Sequence, residues 1–347
     1  MAIYDDILFE QRGSLGLITL NRPDVLNVLN LRMYLALIDQ LGLWGQSDSI
    51  QAVAIRGAGS RAFCAGGDLR SLYDAGQAGS PDIMQLFWDE YRFNTLLREY
   101  PKPYIALIDG ITMGGGVGVS VHGSHRIVGD HTLFAMPETG IGLIPDVGGT
   151  YFLPRMRGEL GIYLGLTGAR LKAADCLYAG LATHYVPSQK QDDLVSALSE
   201  GGDIDQICSG FSGELEAAPL ARLQIKIDEY FCGTKVEEIL GALNGSEDQW
   251  AQEVAHSLYA KSPTSLKITL RQLQAGAALS FRDCMALEYR IITRIMKQHD
   301  FFEGVRAIVI DKDHLPCWNP SRLEDVSNES VHQYFESLGV DEWNIDN

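Results

Sequence analysis

No stretch of this sequence approaches the roughly 18 consecutive apolar residues that a membrane span requires, so no transmembrane helix is expected. Positive charge is scarce: 28 Lys and Arg stand against 45 Asp and Glu, a formal net charge of −17. That balance speaks against a nucleic acid or an anionic membrane as partner, because such proteins need a basic face to release counterions. An anionic ligand would need a local basic patch. Cysteine is sparse and unpaired: Cys64, Cys176, Cys208, Cys232, Cys284 and Cys317 occur singly, with no C-x-x-C pair and no His at zinc-ligand spacing. They read as reduced structural thiols, and no metal site is expected. The phosphate loop G-K-[ST], the metal helix H-E-x-x-H and the nucleophile elbow G-x-S-x-G are all missing, which removes the usual NTPases, zincins and α/β-hydrolases. Fixed-period repeats and low-complexity tracts are missing too. The first ten residues, MAIYDDILFE, are acidic where a signal or transit peptide would be basic, so a soluble, cytoplasmic protein is expected.

What is present is ordinary globular material, 347 residues with 46% hydrophobic and 21% charged, enough for one large core or two smaller ones. Leu17 to Leu20 and Ala52 to Ile55 are short branched apolar runs, ended by Asn21-Arg22-Pro23 and Gly57-Ala58-Gly59, and they predict buried strands. Between them Leu29 to Leu43 repeats apolar residues at helical spacing behind the candidate caps Asn27 and Asn30. Strand, helix, strand is the pattern of an α/β unit. It recurs at Tyr104 to Ile108, which runs into a Gly-rich turn, a helix-like segment through Val119 and a short strand at Arg126 to Val128. The texture changes at the linker Ser199 to Asp203, after which Leu266 to Leu273 and Met285 to Met296 repeat at helical spacing. The organisation expected is a unit over 1–200 and a mainly helical region over 201–347, with a polar tail after Gly339.

Two glycine clusters each follow a strand: Cys64-Ala65-Gly66-Gly67-Asp68 and Met113-Gly114-Gly115-Gly116-Val117-Gly118. Glycine lets a backbone approach a ligand closely, and one N–H from each cluster could hold a developing oxyanion. Tight helix-to-strand packing explains the same glycines, and on the glycines alone both readings stand. The stretch MPETGIGLIPDVGGTYFLPR carries Glu138 and Asp146, with no other charge before Arg155. Gly140, Gly142 and Pro145 forbid a continuous helix between the two acids, so they sit on one loop or at its ends. Facing a cavity walled by Leu143, Ile144 and Val147, a carboxyl group would be poorly solvated and suited to acid/base or nucleophilic work. On local sequence alone the plainer reading comes first, in which Glu138 caps a loop and Asp146 makes an Asx-type turn before Val147-Gly148-Gly149.

The long motifs CAGGDL, GITMGGGVG, MPETGIGLIPDVGGTYFLPR and DFFEGVRAIVIDKD followed by PCWNP resemble the crotonase (enoyl-CoA hydratase/isomerase) superfamily, from about Phe9 to about Phe335. The resemblance implies an α/β fold, a crotonase-like spiral of ββα turns over the acyl-CoA-binding core, followed by a helical C-terminal region. Gly67 and Gly115 match the oxyanion-hole donors of that family. Glu138 matches its remaining catalytic glutamate. The second glutamate of the hydratases falls on Gly118 here, which puts hydration in doubt. Asp146 falls where hydratases usually carry glycine and where the branch that hydrolyses short 3-hydroxyacyl-CoA thioesters carries aspartate. Glu90, in FWDEYRFN, matches a substrate-contacting glutamate of that branch; as plain sequence it reads as a solvated helix charge, as does Asp89 beside it, three before Arg92. Arg70 matches a basic residue set against nucleotide phosphates, or forms a surface ion pair with Asp68 or Asp74. His122 and His125 read as packing or polar-surface residues of a helix-like segment. The resemblance implies hydrolysis of a short 3-hydroxyacyl-CoA, 3-hydroxyisobutyryl-CoA first among them, with acyl-CoA as the small-molecule partner and coenzyme A present only as part of the substrate. Its rivals are a dienoyl-CoA or enoyl-CoA isomerase or hydratase, and a non-catalytic acyl-CoA-binding protein. Assembly into a homo-oligomer is left open.

Overall fold

The structure, a computed structural model, describes residues 5–80 and 82–345. Its strands are β1 (Ile7–Arg12), β2 (Leu15–Leu20), β3 (Ala52–Gly57), β4 (Ala62–Cys64), β5 (Tyr104–Ile108), β6 (Ile111–Met113), β7 (His125–Val128), β8 (Leu133–Ala135) and β9 (His184–Tyr185). They form a larger sheet in the order β1-β2-β3-β5-β7-β9 and a smaller one in the order β4-β6-β8. Apart from the antiparallel pair β1/β2, every pairing is parallel. The ββ repeat is visible in this division: β3, β5 and β7 enter the larger sheet, and each is followed directly by a strand of the smaller one. No helix among the described residues is long and apolar enough to cross a membrane.

Helix α1 (Leu31–Gln46) begins at Asn30, whose side chain accepts the Met33 N–H. The other candidate cap does different work. Asn27 is buried in the left-handed region, φ 57, and its amide donates to the Ala58 and Ala62 carbonyls at 2.9 Å each. It therefore ties down the loop that leads into β4. His125 starts a strand rather than lying on a helix, and its ring is 3.0 Å from the Asp205 carboxyl. Four cysteines are buried, while Cys232 and Cys317 are exposed; all six are free thiols.

The chain divides into two compact units at positions other than 200/201. One comprises Met1–Gly67, Arg92–Ala135 and Arg170–Arg222; the other comprises Asp68–Tyr91, Met136–Ala169 and Leu223–Asn347. The Ser199 to Asp203 linker lies inside the first unit, because the helices on both sides of it, Gln191–Ser199 and Ile204–Phe211, cover the same sheet. Leu194, Val195, Leu198 and Cys208 join Leu15, Leu17, Ala54, Ile105 and Ile127 in one buried cluster, with Ile207 and Phe211 packed against it. The second unit is predominantly helical. It contains α2 (Leu69–Gln77), the Pro263–Gly276 helix and the Phe281–Ile295 helix, which extend the two helical patterns legible in the sequence. Helix α3 (Asp82–Arg98) holds the division at Tyr91/Arg92 within it.

Candidate active site

In the first unit the parallel pairing of β4 with β6 brings the two glycine clusters together, since both follow the carboxyl ends of adjacent strands. The contact is too close for side chains. A Cβ on Gly66 would stand 3.3 Å from the Met113 carbonyl oxygen and 3.7 Å from the Gly115 nitrogen, and Gly66 has φ +116. A Cβ on Gly116 would meet the Cys64 carbonyl oxygen at 2.2 Å. The Gly66 turn is anchored from below, where its carbonyl accepts the Leu29 N–H at 2.8 Å and Ala65 N–H donates to Leu26 at 3.0 Å. Gly115 opens the short helix α4 (Gly115–Gly118). Among the described residues neither the Gly67 nor the Gly115 N–H has a backbone acceptor. The packing of the two clusters is therefore glycine-dependent.

In the second unit the Gly- and Pro-rich stretch folds into a short helical turn, Glu138–Ile141, followed by the turn that carries Asp146. Both acids are 4% exposed. Glu138 Oε2 is buried with no hydrogen-bond partner among the described residues. Burial lifts the Glu138 carboxyl well above the usual carboxylate range; the Asp146 charge and, more weakly, Glu90 lift it further, while Lys261 acts in the other direction. Burial pushes Asp146 up to about 7, against the pull of a hydrogen bond from Tyr91. That bond runs from the Tyr91 hydroxyl to Asp146 Oδ2 at 2.9 Å, so Asp146 is a partnered buried carboxylate and not an Asx-turn former. Two acids that resist ionising together, one of them favoured by a donor, can hold one proton between them.

Glu90 is buried at 3% exposure on α3, within electrostatic reach of Glu138 and of Tyr91. Asp89 is not the solvated charge that its spacing to Arg92 suggests, since it too is buried and accepts from Gln85 Nε2 at 2.7 Å. Arg70 is exposed on α2, where its guanidinium donates to the Val309 carbonyl at 3.4 Å; Asp68 caps that helix by accepting the Ser71 N–H. Sequence reasoning missed Tyr91, which as an aromatic in a helical pattern reads as core. It also missed Gln272 and Glu288, two buried polar side chains that hold the Asp146 turn. Glu288 carried a signal, because it falls on the apolar stripe of its helix with Cys284, Met285, Ile291, Ile292 and Ile295.

The family model described as enoyl-CoA hydratase/isomerase matches residues 15–335. The mitochondrial 3-hydroxyisobutyryl-CoA hydrolase of Danio rerio is 47% identical over 343 residues, 96% of this chain and 90% of the relative; that of Homo sapiens is 44% identical over 345 residues, 96% and 89%. Among solved structures, one described as a carnitinyl-CoA dehydratase from Mycobacterium thermoresistibile superposes with a TM-score of 0.94 at 40% identity, covering 99% of each chain. One described as an enoyl-CoA hydratase from Rhodobacter sphaeroides superposes with a TM-score of 0.90 at 39% identity, covering 98% of this chain and 99% of the other. The expectation of a cytoplasmic protein is corrected here, since the hydrolases that match nearly the whole chain are mitochondrial. The acidity of ten residues does not report a compartment.

Proposed function

This chain belongs to the enoyl-CoA hydratase/isomerase family, and from that premise we propose that it hydrolyses the thioester of a short 3-hydroxyacyl-CoA, with 3-hydroxyisobutyryl-CoA, an intermediate of valine catabolism, as first candidate. The observation that carries the choice is the pair of buried acids Glu138 and Asp146, combined with Gly118 where hydratases place a second glutamate. The hydrolase relatives support it. In this reading the Gly67 and Gly115 N–H groups receive the thioester oxygen. With the shared proton shifted to Asp146, the Glu138 carboxylate attacks the carbonyl carbon, and the tetrahedral oxyanion collapses to expel CoA thiolate, which takes that proton from Asp146. The resulting mixed anhydride is cleaved by water, whose proton passes to Asp146, releasing the hydroxy acid and restoring Glu138. Direct activation of water by Glu138 gives the same products without the anhydride. Glu90 binds the polar acyl end, Arg70 serves the nucleotide phosphates, and no metal or separate cofactor enters. Self-association remains compatible with this scheme.

The test is release of free thiol from 3-hydroxyisobutyryl-CoA, followed alongside the enoyl absorbance of short enoyl-CoA substrates. Thiol release that falls on the order of 10²–10⁴-fold in Glu138→Gln is expected. Enoyl turnover without thiol release would sink the hydrolase reading in favour of the hydration and dehydration named for the two solved structures. A single turnover in ¹⁸O-water detects the anhydride when water attacks its Glu138 carbonyl, because only that route leaves label in the Glu138 carboxyl group.

A further inference from the structure

Glu288 is a buried carboxylate that this chemistry does not use. It lies on the Phe281–Ile295 helix at 0% exposure, and its two oxygens accept the backbone N–H groups of Gly148 and Thr150, both at 2.9 Å. A polar group taken out of water is costly unless partners satisfy it, and both donors here belong to the turn that follows Asp146. That turn is strained. Val147, between Asp146 and Gly148, has φ +47, where a β-branched residue is an outlier costing on the order of 1–3 kcal/mol. Such a conformation persists only where the surroundings over-determine it. The surroundings do: Gln272 Nε2 donates to the Pro145 carbonyl at 2.8 Å and to Thr150 Oγ1 at 2.6 Å. One helix thus grips the turn through an acceptor and the helix before it through its donors. Tyr289, the residue after Glu288, packs edge-on against Tyr91 with ring centroids 6.4 Å apart, and Tyr91 is the residue that donates to Asp146.

We propose that Glu288 is a positioning residue for the thioester reaction, whose two-pronged grip on Gly148 and Thr150 holds the strained Val147 turn and so aims the Asp146 carboxylate. The proposal rests on the reading of Asp146 as a reacting acid. The titratable groups that the Glu288 charge reaches are Asp146, Tyr91 and Cys284. A carboxylate that merely stabilised the fold would change the amount of folded protein and leave turnover per folded molecule alone. One that acts through Asp146 must be non-additive with it.

The experiment is a double-mutant cycle of Glu288→Gln and Asp146→Asn in the full chain, read by thiol release from 3-hydroxyisobutyryl-CoA and by amide hydrogen exchange over Gly148 to Thr150. Glutamine keeps the volume but offers one acceptor oxygen, so one of the two N–H bonds is lost. Glu288→Gln is expected to lower kcat on the order of 10–100-fold, the scale of a misplacement of about 1 Å, to leave KM within about 3-fold, and to speed exchange in the turn. The double variant should be no slower than Asp146→Asn alone. Losses that multiply, or wild-type kcat in folded Glu288→Gln, overturn the proposal while leaving the role of Asp146 standing. Wild-type turnover in Asp146→Asn overturns the role of Asp146 and the proposal with it. Glu288→Asp, which keeps both acceptors on a shorter arm, carries the same cycle should glutamine not be tolerated: an intermediate kcat is expected, and an unchanged one counts against the proposal.

Discussion

Asp146 differs from Glu138 by one hydrogen bond. Both are buried acids, but the Tyr91 hydroxyl donates to Asp146, whereas Glu138 Oε2 finds no partner among the described residues. A donor stabilises the anion, so Tyr91 holds Asp146 below the value that burial alone would set, and its removal must raise it. Tyr91→Phe is therefore expected to move the rising limb of kcat/KM towards alkaline pH by about one unit, since a hydrogen bond to a charged group contributes roughly 1.5–3 kcal/mol and one unit is ~1.4 kcal/mol. Thiol release measured from pH 5 to pH 9 checks this, and an unmoved limb would show that it does not report Asp146. At this scale the sequence named Glu138, Asp146 and Glu90 through the family motif but not their partners. Which hydroxyl meets which carboxyl is settled by chain segments 55 residues apart in sequence, and no spacing rule reaches across that distance.

Among the elements, the branched apolar runs were legible and the three-residue strands were not. The expected strand over Tyr104 to Ile108 coincides with β5, and Leu17 to Leu20 and Ala52 to Ile55 lie within β2 and β3. The three-residue strands β4, β6 and β8 carry no periodicity to read, because so short a strand exists only by virtue of its neighbours. Yet β4 and β6 are what bring Gly66 and Gly115 together. Gly116→Ala tests that dependence: its Cβ would overlap the Cys64 carbonyl oxygen, a backbone atom with little room to yield. A loss of about 1–3 kcal/mol in chemical denaturation is expected, the range for an overpacked interior. Thiol-release activity in the protein that remains folded should fall as well, because Gly115 adjoins the displaced residue.

At the scale of the molecule, buried acids set the pH dependence of stability. Asp146 rises from 3.8 to about 7 and Glu288 from 4.5 to about 8, both first of all through burial. Folded-state values above the unfolded ones mean that the folded chain binds more protons between them. Their unfavourable contribution is absent below about pH 4, grows through the interval and is complete above about pH 8. Asp146→Asn, whose amide oxygen can still accept from Tyr91, should therefore raise Tm by a few degrees at pH 8 and leave it unchanged near pH 4, as calorimetry at the two pH values would show. An equal gain at both would place the effect elsewhere. The division into units belongs to this scale too. A boundary read from the composition at Ser199 to Asp203 gives one cut, whereas the folded chain interleaves three segments in each unit, because Leu194, Leu198, Cys208 and Phe211 are committed to one sheet face.

By itself the sequence determined the family, the strand-and-helix alternation and the identities of the acids and glycines proposed for the chemistry. Motif and periodicity are local, and they survive in a linear reading. Only the tertiary structure decided that Glu138 and Asp146 are nine-tenths and more out of water, that Tyr91 separates them in character, and that a carboxylate 142 residues after Asp146 grips the turn on which it stands. Burial and charge coupling depend on distances through space, and a sequence has none until it folds.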